Sequence, residues 1–386
     1  MSRKYNFINW VDGMKITRSH FEAEENSLIY QLGEVASVVV NKYNYGLIMP
    51  STGISSSLKI NMDVDRAKLL RITISRCKAV TPAGILIDIN NQNEVNKQNT
   101  LSDLSEEFKL DDLSNGKSYY ITLSVDPYSK NPVGKPDPSE NPPRYPFADY
   151  TYSINLLPVG DLNIRENGAY HIAIGKLKVV PNGIELDDKY IPPSSRSNSQ
   201  IDLAEACKDL DGALSQMELH SCSIVQKIYK KEQQNLLAKT VLYLVEDLVK
   251  YLSTSIHNFR WQIPEQPPIA FIQYFAAMAR LIKNSIDAKS GTGKEEMLNY
   301  FHDWVVEINQ GEFEAIVDEM VNVEYDHNDI NESMQVVEKF VFTISSILSK
   351  LNKLDFIGDK KKTGIIVTSE KAENTDKPKK RNFLIS

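Results

Sequence analysis

The 386-residue sequence holds only three cysteines, Cys77, Cys207 and Cys222, and no two of them form a Cys-x-x-Cys pair. Three scattered thiols are too few for a disulfide framework, and they fit a reducing compartment. Hydrophobic runs are short as well. No stretch of about 18 apolar residues occurs, so direct membrane insertion is not expected. The opening residues MSRKYNFINWVDG lack the apolar stretch and small-residue cleavage site of a secretory signal, which makes the cytoplasm the expected location. Basic charge is in deficit: the formal net charge is −7, and residues 359–386 hold eight Lys/Arg against four Asp/Glu, leaving −11 on the rest. An acidic body lacks the clustered basic face that phosphate binding needs, so no nucleic acid is expected as a partner.

Patterns that carry chemistry are missing too. None of the six histidines forms HxH, HExxH or a His-Cys cluster, and GxSxG is absent. The segment SGTGKEE at 290–296 fails as a phosphate loop. Ala288 stands where the first glycine is needed and Glu295 where Ser/Thr is needed, and a helical pattern precedes it instead of a strand. His327 lies among Glu324, Asp326 and Asp329, but their spacing suits neither an EF-hand nor a zinc site, and the segment reads as a solvated acidic turn between helices. The pairs Asp111-Asp112 and Asp187-Asp188 sit beside turn residues, where carboxylates cap backbone amides. The expectation is a protein that is no enzyme and carries no cofactor and no metal.

What is present is globular: 41% hydrophobic and 25% charged residues over a length that suits two or three domains. The halves differ in period. Short alternating or β-branched runs occupy Val35 to Val40, Leu69 to Ser75, Gly84 to Ile89, Tyr119 to Val125, Tyr150 to Leu157, His171 to Val180 and Gly183 to Leu186. AVTPAGILIDI and VVPNGIEL each place a Pro-containing turn before Gly84 or Gly183, which writes a tight hairpin. The spacing predicts an antiparallel β-sandwich over residues 1–200, entered by a short helix from Thr17 or Ser19 through Gly33. Seven of the 17 prolines fall between Asp126 and Ala148, so 126–148 reads as a long excursion between strands, either a contact arm or a plain surface loop. Pro192-Pro193 closes this region, and SSRSNSQ follows as a polar cap and linker.

From Gln200 the period becomes helical to about Leu354, predicting an α-helical bundle of four or five helices over 201–357, with 358–386 a flexible basic tail. A heptad stripe runs through Leu203, Cys207, Leu210, Leu214, Met217, Ser221, Ile224, Ile228, Lys231, Asn235, Ala238, Leu242, Val245, Val249, Leu252 and Ile256. Read as one long coiled-coil-like helix, it offers an oligomer seam at Leu203, Leu210, Met217 and Ile224, with Lys231 and Asn235 as register devices. The fold class is α+β, the sandwich first and the bundle second. At the N-terminus, Phe7, Trp10, His20 and Phe21 supply either an exposed aromatic docking hook or a plug for the end of the sandwich.

NWVDGMKITRSHFEAEENSL resembles the N-terminal W-x-x-G-M-x-x-x-x-x-H-F signature of the TssK family, baseplate subunits of bacterial type VI secretion systems. Trp10, Gly13, Met14, His20 and Phe21 occupy the matching places. CKAVTPAGILIDI is similar to that family's apolar hairpin, DDKYIPPSSR to its exit from the β domain and WQIPEQPPIAFIQYFAAMARLI to its Pro-led bundle helix. The resemblance implies a β shoulder and a helical neck through which three copies associate. It implies contacts with TssF/TssG-like wedge subunits and, through the C-terminus, with membrane-complex proteins. It also implies a cytoplasmic place peripheral to the inner membrane when assembled. Lys15 and Ile16 to Ser19 depart from the family's usual residues, and only about 30 polar residues follow Leu354 where the family has a folded head. The chain thus resembles a divergent subtype with a missing or reduced head. A receptor-binding or tail adaptor protein of a phage-like contractile particle is the alternative.

Overall fold

Alternation dictates the first half. Along Leu69–Val80 every second side chain, Leu70, Ile72 and Ile74 and then Cys77 and Ala79, turns inward and is buried. The computed structural model describes residues 5–50, 56–66, 68–90, 104–160, 169–181, 183–289, 291–304 and 311–358. They divide into two compact units: Met1–Ile201 with 266–268 and 327–331, and the remaining 202–265, 269–326 and 332–386.

The first unit opens with helix α1 (Arg18–Ala36) and strand β1 (Gly46–Leu47). Then come β2 (Leu58–Val64), β3 (Leu69–Val80), β4 (Leu86–Asn90), β5 (Leu104–Lys109), β6 (Ser118–Val133), β7 (Phe147–Pro158), β8 (His171–Val180) and β9 (Gly183–Leu186). Two antiparallel sheets result. β3 is the spine of one, with β1 and β2 along one side and β4 and β5 along the other; the second runs β7-β6-β8-β9. Ile72, Ile74 and Ile87 of the first sheet share one core with Ile121, Leu123, Ile172 and Leu177 of the second, which is the expected sandwich. Both hairpins close as read: β3 pairs β4 and β8 pairs β9 antiparallel. Gly84 stands at φ 78°, and a Cβ there would overlap the Cβ of Ala36, so only glycine lets the turn sit against α1.

Three expectations need correction here. Val35–Val40 is no strand: Ser37 and Val40 donate their amides to Gly33 and Ala36 carbonyls, so the helical ladder outlasts the β-branched run. The serines of SSRSNSQ are no solvated linker. Ser194, Ser197 and Ser199 are buried, the Ser195 amide donates to Leu47 O at 2.8 Å and the Ser197 amide to Gln266 O at 2.8 Å. The 126–148 excursion is largely a ribbon, because β6 and β7 stay paired as far as Val133 and Phe147.

The second unit is helical: α2 (Ile201–Lys230), α3 (Leu236–Trp261), α4 (Pro268–Asp287), α5 (Thr292–Trp304), α6 (Glu312–Val321) and α7 (Ile330–Lys353), with only Ile201, Pro268 and the first two residues of α7 counted in the other unit. The heptad stripe does not make one long helix. Its polar stretch at 231–235 is a turn with Glu232 at φ 48°, and Asn235 restarts the helix as an N-cap, its side chain accepting the Ala238 amide at 2.6 Å. Lys231 donates to the Asp355 carbonyl, and Asn235 Nδ2 reaches Ile357 O at 3.4 Å. Leu203, Leu210, Met217 and Ile224 are already buried within the single chain, so they form an internal seam. The expected basic tail lies, beyond Gly358, outside the described residues. No described helix is long and apolar enough to cross a membrane.

Candidate protein-docking surface

The N-terminal signature residues gather at one place. Val11 to Met14 forms a tight turn, the Met14 amide donating to Val11 O at 3.2 Å, and Gly13 supplies the φ of 76° that its third position requires. Thr17 caps α1, and His20 completes a reciprocal cap: its Nδ1 accepts the Thr17 amide at 3.1 Å, the part Glu or Gln usually plays. The turn and the cap fold the segment back along its own helix. Tyr5 lies 6.4 Å from Tyr30, the Ile8 amide donates to Glu24 Oε2 at 3.4 Å, and Trp10 lies 6.0 Å from His20 and 6.5 Å from Phe21.

Trp10 is 46% exposed and Phe21 59%, so neither fills the end of the sandwich. The stripe continues along α1 through the exposed Leu28, Leu32 and Val35 and past it through Val38 and Val39. Spacings of seven, four and three residues put Phe21, Leu28, Leu32 and Val35 on one helical face. The opposite face anchors the helix: Ser27 is fully buried, and Gly33 and Ala36 lie against the Ala83-Gly84 turn. Met14 is half-buried, and Gly13 works through the backbone.

A base of tyrosines holds the hook. Tyr5 stacks on Tyr128 at 4.6 Å, Tyr170 meets Tyr128 edge-on at 6.4 Å, and Lys130 pairs with Glu25 of α1. Burial, then the hydrogen bond with Tyr170, pushes the Tyr128 phenol well above its ordinary range, so it stays a neutral packing group.

A second cluster escaped the sequence reading. The EYDHNDIN segment is not a solvated acidic turn, because His327 and Asp329 are buried within the first unit. His327 Nε2 lies 2.9 Å from Tyr45 O, and its ring meets the Tyr45 ring edge-on at 4.6 Å. The hydroxyls of Tyr45 and Tyr190 donate to Asn328 Oδ1 at 2.8 Å and Asn328 O at 2.6 Å, and Lys176 Nζ pairs with Asp329 Oδ2 at 2.6 Å. The lysine matches the charge of the buried carboxylate inside the protein. Among the described residues no group of His, Cys, Asp or Glu is arranged to hold a metal ion. Lys294 of the failed phosphate loop is bound to Asp287 at 2.7 Å and Glu314 at 2.8 Å, and these partners raise its pKa to about 12. The thiols of Cys77 and Cys207 are pushed by burial up to about 12, so neither is a nucleophile at neutral pH.

No protein-family model and no curated protein matches the chain. Solved structures do. A crystal structure of TssK is 12% identical, with a TM-score of 0.46 over 89% of this chain and 70% of that one. The TssK-TssF-TssG baseplate subcomplex of a type VI secretion system matches at 14% identity and a TM-score of 0.43, over 91% of this chain and all of the matched one. The baseplate complex of a type VI secretion system matches at 14% and 0.46, over 90% of this chain and all of the matched one.

Proposed function

We infer that the chain is a structural docking subunit of a type VI secretion baseplate, a connector that holds wedge proteins of the TssF/TssG kind through its N-terminal hook and α1. The observation that carries this is the exposed stripe Trp10, Phe21, Leu28, Leu32 and Val35, presented on a helix whose other face is tied to the sandwich. A helix half anchored and half bare is built to be covered by something else, since exposed contiguous apolar surface costs solubility unless a partner buries it. The order of the hook signature, the apolar hairpin, the Ile-Pro-Pro exit and the Pro-led helix supports the baseplate setting.

Three copies associate in this reading. The internal seam is spent within one chain, so exposed positions of the helical unit, Leu219, Trp261 and Phe342 among them, carry that contact. Repetition of weak shoulder contacts by three copies then raises avidity without a large single interface. The protein works in the cytoplasm, peripheral to the inner membrane, without catalysis or a cofactor, and its C-terminus meets membrane-complex proteins. Co-expression with the wedge subunits encoded beside it, followed by gel filtration with light scattering, tests the reading. A complex containing three copies is expected; a monomer that passes the wedge proteins unbound would overturn it.

A further inference from the structure

The β6-β7 ribbon outgrows its sheet. β8 leaves β6 at Ser124, and the Val125 amide makes the last bond to that side, with Tyr170 O at 2.9 Å. Beyond the Asp126 and Thr151 pair, three residues of β6, Pro127, Tyr128 and Ser129, loop out before pairing resumes at Lys130 and Tyr150 and runs to Val133 and Phe147. Four further pairs carry the tip roughly 13 Å beyond that bulge.

A two-stranded ribbon is marginal in water by itself, so something must hold this one. At its base Tyr128 is clamped by Tyr5 and Tyr170, and Lys130 by Glu25. At its tip the Asp137 amide donates to Arg144 O at 3.0 Å. Asp137 Oδ1 accepts from Ser139 N at 2.8 Å and Ser139 Oγ at 2.7 Å, and Arg144 pairs with Glu140. Gly134, at φ 101°, lies so close to Pro146 that a Cβ there would meet its ring at 3.0 Å. Pro136, Pro138, Pro142, Pro143 and Pro146 are all exposed, Tyr145 is 50% exposed and Phe147 60%. Proline side chains with aromatic neighbours, fixed in advance and left bare, are what a partner groove buries at low entropic cost.

We propose that residues 134–147 are a preformed contact arm whose Pro-Pro-Arg-Tyr-Pro-Phe edge seats in an apolar, aromatic-lined groove of another protein. Charge favours this occupant over a membrane. Residues 134–147 hold Lys135 and Arg144 against Asp137 and Glu140, so the arm is neutral and has no basic excess to draw it to an anionic membrane, and its bare apolar edge is what remains for a partner to bury. The arm is separate from the hook, and the inference does not depend on the baseplate role.

The experiment places a photo-crosslinking benzoylphenylalanine at Tyr145 of the full chain in its own cells, with Glu185 of exposed β9 as the control position. The captured protein is then purified and titrated against wild type and a Tyr145→Ala/Phe147→Ala variant. The expected result is an adduct with a different protein through a peptide rich in aromatic and apolar residues, with at least tenfold weaker binding by the double variant. Asp137→Ala, which keeps both rings but unties the tip, is expected to weaken binding about threefold. Adducts only with a second copy or with lipid, none above the control, or equal affinity for the double variant would overturn the proposal. The two readings fail separately: wedge binding unchanged by Trp10→Ala/Phe21→Ala removes the hook and leaves the arm, while equal affinity of the captured protein for the arm variant removes the arm and leaves the hook.

Discussion

Replacing Asp329 with alanine should strongly destabilise the first unit. The substitution leaves the Lys176 ammonium facing a truncated partner, in a place where the lysine side chain is 16% exposed and the aspartate 4%. Removing one member of a buried pair costs about 3 to 5 kcal/mol, chiefly because the surviving charge stays desolvated. The residual exposure of Lys176 lets its end shift toward water, which argues for the lower figure. Asp329 also directly precedes α7, where a carboxylate suits the positive end of the helix, so the loss should not fall much below about 3 kcal/mol. At 1.4 kcal/mol per factor of ten, amides of β8 that exchange only by opening of the whole unit should exchange about 100-fold faster. Hydrogen exchange resolved over His171–Val180 reads this directly. The double variant Lys176→Met/Asp329→Leu removes both charges and should recover most of the loss. An Asp329→Ala protein within about 0.5 kcal/mol of wild type would refute the reasoning, and a double variant as unstable as the single one would assign the effect to packing.

Other changes test other parts of the fold. Gly84→Ala combines a φ of 78° with an overlap on Ala36, and should lower stability by about 2 kcal/mol or more in denaturant titration while a mild variant such as Ser153→Ala does not. Asn235→Ala removes the cap of α3 and should cost the helical unit about 1 kcal/mol by the same assay, whereas Asn235→Ser should be nearly neutral. Within the coiled-coil-like reading, replacing Lys231 and Asn235 with Ile would stabilise an oligomer; with these residues in a capped turn, the pair should instead lower the melting temperature. His220, beside Asn352 at 3.0 Å, is held below its ordinary pKa by burial first and by Lys353 second. The unfolded chain then takes up the proton more readily, so stability is full above the ordinary histidine range and falls as pH drops through it. His220→Gln should flatten that slope in melting curves between about pH 7 and 5.

Much of this architecture is legible in the residues because it rests on local periodicity. Inward alternation along Leu69–Val80, the Pro-x-Gly turn at Gly84 and the apolar stripe of α2 each appear in a window of a dozen residues. The break at 231–235 is legible as well: an Asn after a polar run and before Leu-Leu-Ala is an N-cap signal, although the heptad register continues through it. Val35–Val40 misled because β-branched residues at a helix end look like a strand until the i to i−4 bonds are seen. The cluster around His327 could not be read. Lys176 and Asp329 are 153 residues apart and Tyr45 and His327 282, and no local pattern tells a buried carboxylate with a distant lysine from a solvated one. The hook lies between these cases: its residue types suit a buried plug or an exposed dock equally, and the exposure of Trp10 and Phe21 in the fold speaks against the plug.

The most direct test of the docking claim is a titration of the wedge subunits against the intact protein and against its Trp10→Ala/Phe21→Ala variant, with melting curves recorded on both. If the two rings together contribute about 2 kcal/mol to a covered interface, the variant should bind about 30-fold more weakly at an unchanged melting temperature. Equal affinity for the two proteins would contradict a docking role for this surface, and a melting temperature lowered along with the affinity would show that the two rings hold the fold together instead.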